Sequence, residues 1–304
     1  MPYLDLSNRG KNEKWRYLLS IFVILSMWMG VGSIPMGLLV RRVATDHDKS
    51  TYYDPELFSF HGIDPVLGFL VMMLASIPLL LGIYLVVRFI HKRTLRSLIT
   101  PRSTIDWKQY LWGGSVMLLI LSLFTLTDGL FFSRSYQFVF EWKAFFPFIL
   151  LALVLIPIQA STEELLFRGY LMQGIRRFVK ARWVVVGLSS ILFMLPHLFN
   201  PEVGSSPVIA IAAYTLIGVF LAVITLKNNS LELAMGAHTG VNLFNCFVGS
   251  SADQVFGSIP TVFIRREESV ISIESLLAFM VVFVLFYWVV FKRSKTGKLT
   301  VSVE

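Results

Sequence analysis

Two adjacent carboxylates and an arginine, Glu163, Glu164 and Arg168 in "STEELLFRGY" (161–170), directly follow "FFPFILLALVLIPIQA", a run that is nearly all hydrocarbon. Two later apolar runs carry His197 and the pair His238 and Asn242. Ionisable groups inside such runs are costly and mark functional candidates. A carboxylate in a low-dielectric site can act as a base toward water, and a nearby histidine can hold that water. Attack of water on an amide creates an oxyanion that needs preplaced donors, which a second histidine and an asparagine can supply. The set suits hydrolysis.

Spacing sharpens the roles. Glu164 and Arg168 are four apart and share a helix face, where they can form an ion pair. Glu163 is turned about 100° away and points elsewhere. His238 and Asn242 are also four apart, on one face. His197 follows Pro196 and precedes "LFNP", so its helix is expected to end there. Measured from Arg176, Arg182 and Lys227 at ~1.5 Å per residue, Glu163, His197, His238 and Asn242 lie about 16 to 22 Å deep. Groups on three helices at similar depth can meet inside a bundle.

Some features read as purely structural. "STEE" fits a capping box, but the apolar run before it would then need another end. Asn229 to Glu232 is a better capping box, so Glu232 is given no catalytic role. "GVGSIPMG" (30–37) is read as small-residue packing within an apolar helix, and Cys246 as a packing residue.

The elements that must position these groups are membrane helices. Of the 304 residues, 55% are hydrophobic and 15% charged, and the mean hydropathy is +0.69, which does not describe a soluble globule. Apolar stretches near the ~20 residues needed to cross a bilayer occur near 16–40, 65–90, 110–131, 145–167, 183–199, 207–226, 230–248 and 270–291. The expected fold is all-α, a polytopic membrane helix bundle of about eight transmembrane helices. It forms one membrane domain over 1–304, with a core at 145–248, and the 249–269 connection gives no sign of a separate domain. The first span lacks a small-residue cleavage pattern and is read as a retained helix. The net charge of +8 is carried in short clusters beside the spans, which excludes a continuous nucleic-acid-binding face. With the N-terminus inside, the segments 1–16, 88–108, 168–182, Lys227 and 292–298 hold 20 of the 27 Lys and Arg residues. A multi-pass protein of the cell membrane with both termini cytoplasmic is expected. The single cysteine excludes an intrachain disulfide and a CxxC site.

Other intramembrane proteases are disfavoured by missing motifs: there is no HExxH, no GxGD and no G-x-S-x-G. A proton-coupled transporter is the competing class, but no matching halves or paired broken helices are found.

"EELLFR" (Glu163, Glu164, Arg168) matches EExxxR, "FMLPH" (Phe193, His197) matches FxxxH, and "HTGVN" (His238, Asn242) matches HxxxN. In order and spacing these resemble the CAAX prenyl protease and bacteriocin-processing family of intramembrane endopeptidases, also called the Abi family, over about 145–248. The resemblance implies Glu163 as the base, His197 as its partner in orienting water, and His238 with Asn242 as oxyanion stabilisers. Glu164 and Arg168 hold the helix, and Phe193 supports the site. The family has been described both as metal-dependent and as metal-free. Glu163, His197 and His238 could bind zinc as a His₂Glu set. The preferred reading has no cofactor, because Asn242 shares the face of His238 and no spare carboxylate remains as base. The expected substrate is a membrane-associated peptide or protein, prenylated or not. Some family members act instead as scaffolds or in bacteriocin immunity. Oligomeric state is not legible.

Overall fold

The computed structural model of the protein describes residues 1–55, 59–131, 136–204, 206–247, 259–265 and 272–296. Within them the bundle is built by α1 (Lys14–Thr45), α2 (Pro65–Ile90), α3 (Trp107–Phe131), α4 (Trp142–Phe178), α5 (Arg182–His197), α6 (Pro207–Asn228), α7 (Glu232–Phe247) and α8 (Ile273–Thr296). All but α5 and α7 are long and apolar enough to cross a membrane, so six of the described helices pass as spans on length and composition. The protein is an integral membrane protein with a polytopic helical bundle. The eight expected spans appear as eight helices, but α5 and α7 have only 16 residues each, about 24 Å at 1.5 Å per residue. α7 is buried from Glu232 to Gly240. Protein and not lipid surrounds that half, which relaxes the length that lipid would demand.

The additions to the helices are small. β1 (Tyr52–Asp54) pairs antiparallel with β2 (Ser59–His61), and β3 (Tyr136–Phe138) with β4 (Phe263–Arg265). Most of the 249–269 connection, at 249–258 and 266–269, lies outside the described residues. Large apolar side chains such as Leu18, Phe22, Leu150, Trp183 and Val284 point outward, as a lipid-facing surface requires.

Local sequence explains the helix ends. Asp64 accepts a hydrogen bond from the Val66 amide at 2.9 Å, with Pro65 opening α2. Asn229 ends α6 in the left-handed region at φ 55°, and its Oδ1 accepts from the Tyr3 amide at 2.7 Å. Asn229 therefore closes α6 and does not open α7 as a capping box. Glu232 instead accepts from Arg102 at 3.1 Å and from the Asp106 amide at 3.2 Å. No helix starts at "STEE", because α4 runs through it unbroken.

Close helix contacts fall at glycines. Gly236 and Gly240 of α7 lie against Gly114 of α3, where a Cβ at Gly240 would stand 2.5 Å from the Gly114 carbonyl oxygen, and Gly113 lies against the Leu233 carbonyl and the Ala237 amide. This is a small-xxx-small contact. In "GVGSIPMG", Gly32 packs against the Ala75 carbonyl, whereas Gly30 and Gly37 have open space beside them, so the expected small-residue packing is made by Gly32. Cys246 is buried among Phe69, Phe148 and Ile156.

A 3₁₀-helix at Tyr3–Arg9 docks on one end of the bundle. The Tyr3 hydroxyl donates to the Leu98 carbonyl at 2.5 Å and lies 3.2 Å from the Arg168 carbonyl.

Candidate active site

α4 changes its winding at the site. The α-helical part ends at Glu164, and Leu165–Leu171 form a π-turn, a feature that recurs at functional sites. Arg168, at the start of the 168–182 segment expected to be cytoplasmic, is fully buried within the bundle. The Arg168 Nη1 donates to Glu164 Oε1 at 2.7 Å, and Nη2 donates to the Gly218 carbonyl at 3.2 Å. The guanidinium also lies 4.1 Å above the Phe193 ring. The EExxxR arginine is thus tied to α4, α5 and α6 at once, and the Phe193 of FxxxH forms its floor.

α7 brings in the second histidine. Gly236 and Gly240 face α3, so His238, two residues from each, projects about 200° round the helix from both. There its Nδ1 donates to Glu164 Oε1 at 2.9 Å, and its Nε2 stands 3.7 Å from Glu163 Oε2. The sequence reading separated the two carboxylates by their angle on the helix. Both nonetheless reach one imidazole, because His238 lies between them. Thr239, next along α7, bonds the Tyr110 hydroxyl of α3 at 2.8 Å.

The first histidine is oriented from its own helix. α5 ends at His197 as expected, and His197 Nδ1 donates to the Phe193 carbonyl at 2.8 Å. A carbonyl can only accept, so in the neutral ring Nε2 carries the lone pair. The His197 ring packs 4.5 Å from Phe193 and 4.5 Å from Tyr214 on α6. The Tyr214 hydroxyl donates to Glu202 and accepts from Asn200 at 2.9 Å.

Asn242 meets α4 through a residue the sequence reading left unnamed. Its Nδ2 donates to Gln159 Oε1 at 2.9 Å, and Gln159 Nε2 donates to Glu163 Oε1 at 2.7 Å. Gln159 is one turn before Glu163 on the same face, which is the signal that could have found it. Tyr214 had no comparable spacing signal. Glu163 Oε2 is buried and has no hydrogen-bond partner among the described residues.

The six polar motif residues, Glu163, Glu164, Arg168, His197, His238 and Asn242, and Phe193 are therefore gathered by α4, α5 and α7, with α3 and α6 behind them. Among the described residues no three His, Cys, Asp or Glu side chains are grouped to hold a metal ion. The zinc set of Glu163, His197 and His238 does not fit this arrangement, and no step below is routed through a metal.

Residues 142–244, which contain every one of these groups, match the family model described as type II CAAX prenyl endopeptidase Rce1-like. Over 264 residues the chain is 31% identical to the uncharacterized protein YyaK of Bacillus subtilis (strain 168), covering 84% of each chain. No solved structure matches. With the motif residues inside the matched segment and the likeness running along most of the chain, the protein belongs to the Rce1-like family of type II CAAX prenyl endopeptidases.

Proposed function

We propose that the protein is an intramembrane endopeptidase in which Glu163 activates water against a peptide bond of a membrane-associated substrate. The observation that carries this reading is the buried, unpartnered Oε2 of Glu163, 3.7 Å from His238 Nε2. A carboxylate oxygen kept free of donors inside a bundle costs folding energy, and a water that it deprotonates is the use that fits it.

One water donates its two hydrogens to Glu163 Oε2 and to the lone pair of His197 Nε2, which aims its oxygen at the amide carbon. As the C–O bond forms, its proton passes to Glu163. The oxyanion accepts from the second Nδ2–H of Asn242, the first being held by Gln159. Passage of the proton across the Glu163–His238 contact gives Nε2 the N–H that makes it the second donor, while Glu164 holds Nδ1. Collapse breaks the C–N bond and the leaving amine takes the proton. Glu164 and Arg168 take no part in this transfer and hold the two helices in register.

The test is cleavage of a panel of farnesylated and unmodified peptides by membranes containing the protein. Glu163→Gln should remove activity without loss of folded protein, and Asn242→Ala should lower turnover about 10²–10³-fold, the usual cost of one oxyanion donor. Equal cleavage by the parent and Glu163→Gln would reject the reading in favour of a scaffold or transporter. One tightly bound zinc per chain that restores a stripped enzyme would replace the metal-free mechanism.

A further inference from the structure

Gln159 joins two groups that the proposed mechanism uses separately, and its chemistry leaves only one way round. The Glu163 carboxylate can only accept, so the Gln159 amide nitrogen faces Oε1 at 2.7 Å. The amide oxygen then faces Asn242, which must donate, at 2.9 Å. An amide has two ends and both are fixed by their partners. A directed chain therefore runs from α7 to α4: Asn242 N–H to Gln159 C=O, then Gln159 N–H to Glu163.

The chain also distinguishes the two oxygens of Glu163. Oε1 is held by a donor, whereas Oε2 is buried, unpartnered and turned to His238. Protonation at Oε2 leaves the Gln159 bond to Oε1 intact, so the bridge persists through the proton transfer. The position is set by α4 alone on one side, since residues 159 and 163 are a turn apart. On the other side it depends on α7 lying close enough to α4 for Asn242 to reach.

We propose that Gln159 is a positioning residue: it selects Oε2 of Glu163 as the oxygen that takes the proton from water, and it ties the oxyanion donor Asn242 to that base. The inference rests on the endopeptidase reading for its kinetic consequence, but the bridge itself can be measured without catalysis.

Purified parent, Gln159→Leu, Asn242→Ala and the double variant are compared on a peptide that the parent cleaves. Gln159→Leu keeps the size of the side chain but not the bonds. It should lower kcat about 10- to 100-fold, the range carried by a hydrogen bond to a charged group, with KM and detergent Tm little changed. Adding it to Asn242→Ala should cost far less than it does alone, because the shared bridge is already broken. Parent-like kcat in folded Gln159→Leu, a loss confined to KM or Tm, or fully additive losses would overturn the proposal. Isotope-edited infrared spectra of ¹³C-glutamate protein, differenced against Glu163→Gln, isolate the Glu163 carboxylate. Gln159→Leu should narrow the splitting of its two stretches as the two oxygens become more alike, and an unchanged splitting would also overturn the proposal. If the parent cleaves no peptide while the splitting narrows, the endopeptidase reading fails and the bridge stands.

Discussion

Arg168 heads the largest fully buried side chains of the described residues, and a buried cation needs its full set of acceptors. Glu164 supplies one carboxylate oxygen, Gly218 a carbonyl and Phe193 a ring face. The planar fork of arginine suits these separate directions, whereas an ammonium is a single point. Arg168→Ala is expected to cost about 3–5 kcal/mol, because it leaves Glu164 charged and buried without its partner. Arg168→Lys should recover only part of that loss. Thermal unfolding in detergent, read with the yield of folded protein, checks both. The pair itself was legible in the sequence, since an acid and a base four apart define one helix face. Gln159 was only half legible: its spacing puts it on the face of Glu163, but its bond to Asn242, 83 positions away, depends on how the helices pack. The double use of His238 was hidden for the same reason: spacing along a helix fixes an angle, while the depth to which a neighbouring helix inserts decides which angles converge.

Between residue and bundle the determining elements are α7 and the connection after α2. Hydropathy was enough to find all eight helices, yet it ended the fourth at 167, because a charge normally ends a span; the helix runs on through Arg168, which three partners hold inside the bundle. The glycines that let α7 approach α3 are visible in "MGAHTG", but the Gly114 that faces them emerges only from the contact. Gly240→Ala should therefore destabilise the protein by about 1–3 kcal/mol, as overpacking does, because backbone and not a flexible side chain opposes the new methyl. It should also lower activity beyond the loss of folded protein, since His238 rides on the same turn, and a comparison of Tm with kcat separates the two effects. At the end of α2, His91 Nδ1 donates to the Lys11 carbonyl at 2.7 Å, and its Nε2 lies 3.0 Å from the Tyr170 hydroxyl. Burial holds this imidazole below its ordinary value of 6.5. Below that value the unfolded chain binds a proton that the folded one resists, so the contribution is complete above pH 6.5 and is lost as the pH falls. Melting temperatures from about pH 7 to about pH 5 should decline, and His91→Gln should flatten that decline.

At the scale of the whole molecule, four of the basic segments counted along the sequence, the N-terminal one and those near residues 100, 176 and 230, come together at one end of the bundle. Arg9 donates to the Pro101 carbonyl at 2.9 Å, Arg102 pairs with Glu232, and Arg176 lies 3.5 Å from Asp5. Arg16 bonds the Ile90 carbonyl and Arg177 bonds Asn8. The N-terminal 3₁₀-helix and the α2–α3, α4–α5 and α6–α7 connections thus share one face. The β1–β2 hairpin belongs to the α1–α2 connection, at the opposite end of α2. The positive-inside rule then predicts an orientation: with this basic end on the cytoplasmic side, an even number of crossings would put both termini there. Reporter fusions at residue 50, in the acidic α1–α2 connection, and at residue 100, in the basic α2–α3 connection, should read outside and inside. The fusion at 100 is the more demanding test, because Leu98 and Ile99 are buried beside the docked N-terminus. An outside reading there would invert the whole bundle, since these contacts tie that connection to Tyr3, Arg168 and Asn229 together. It would also remove the depth estimates that placed Glu163, His197, His238 and Asn242 at one level, leaving their side-chain contacts as the sole support for a common site.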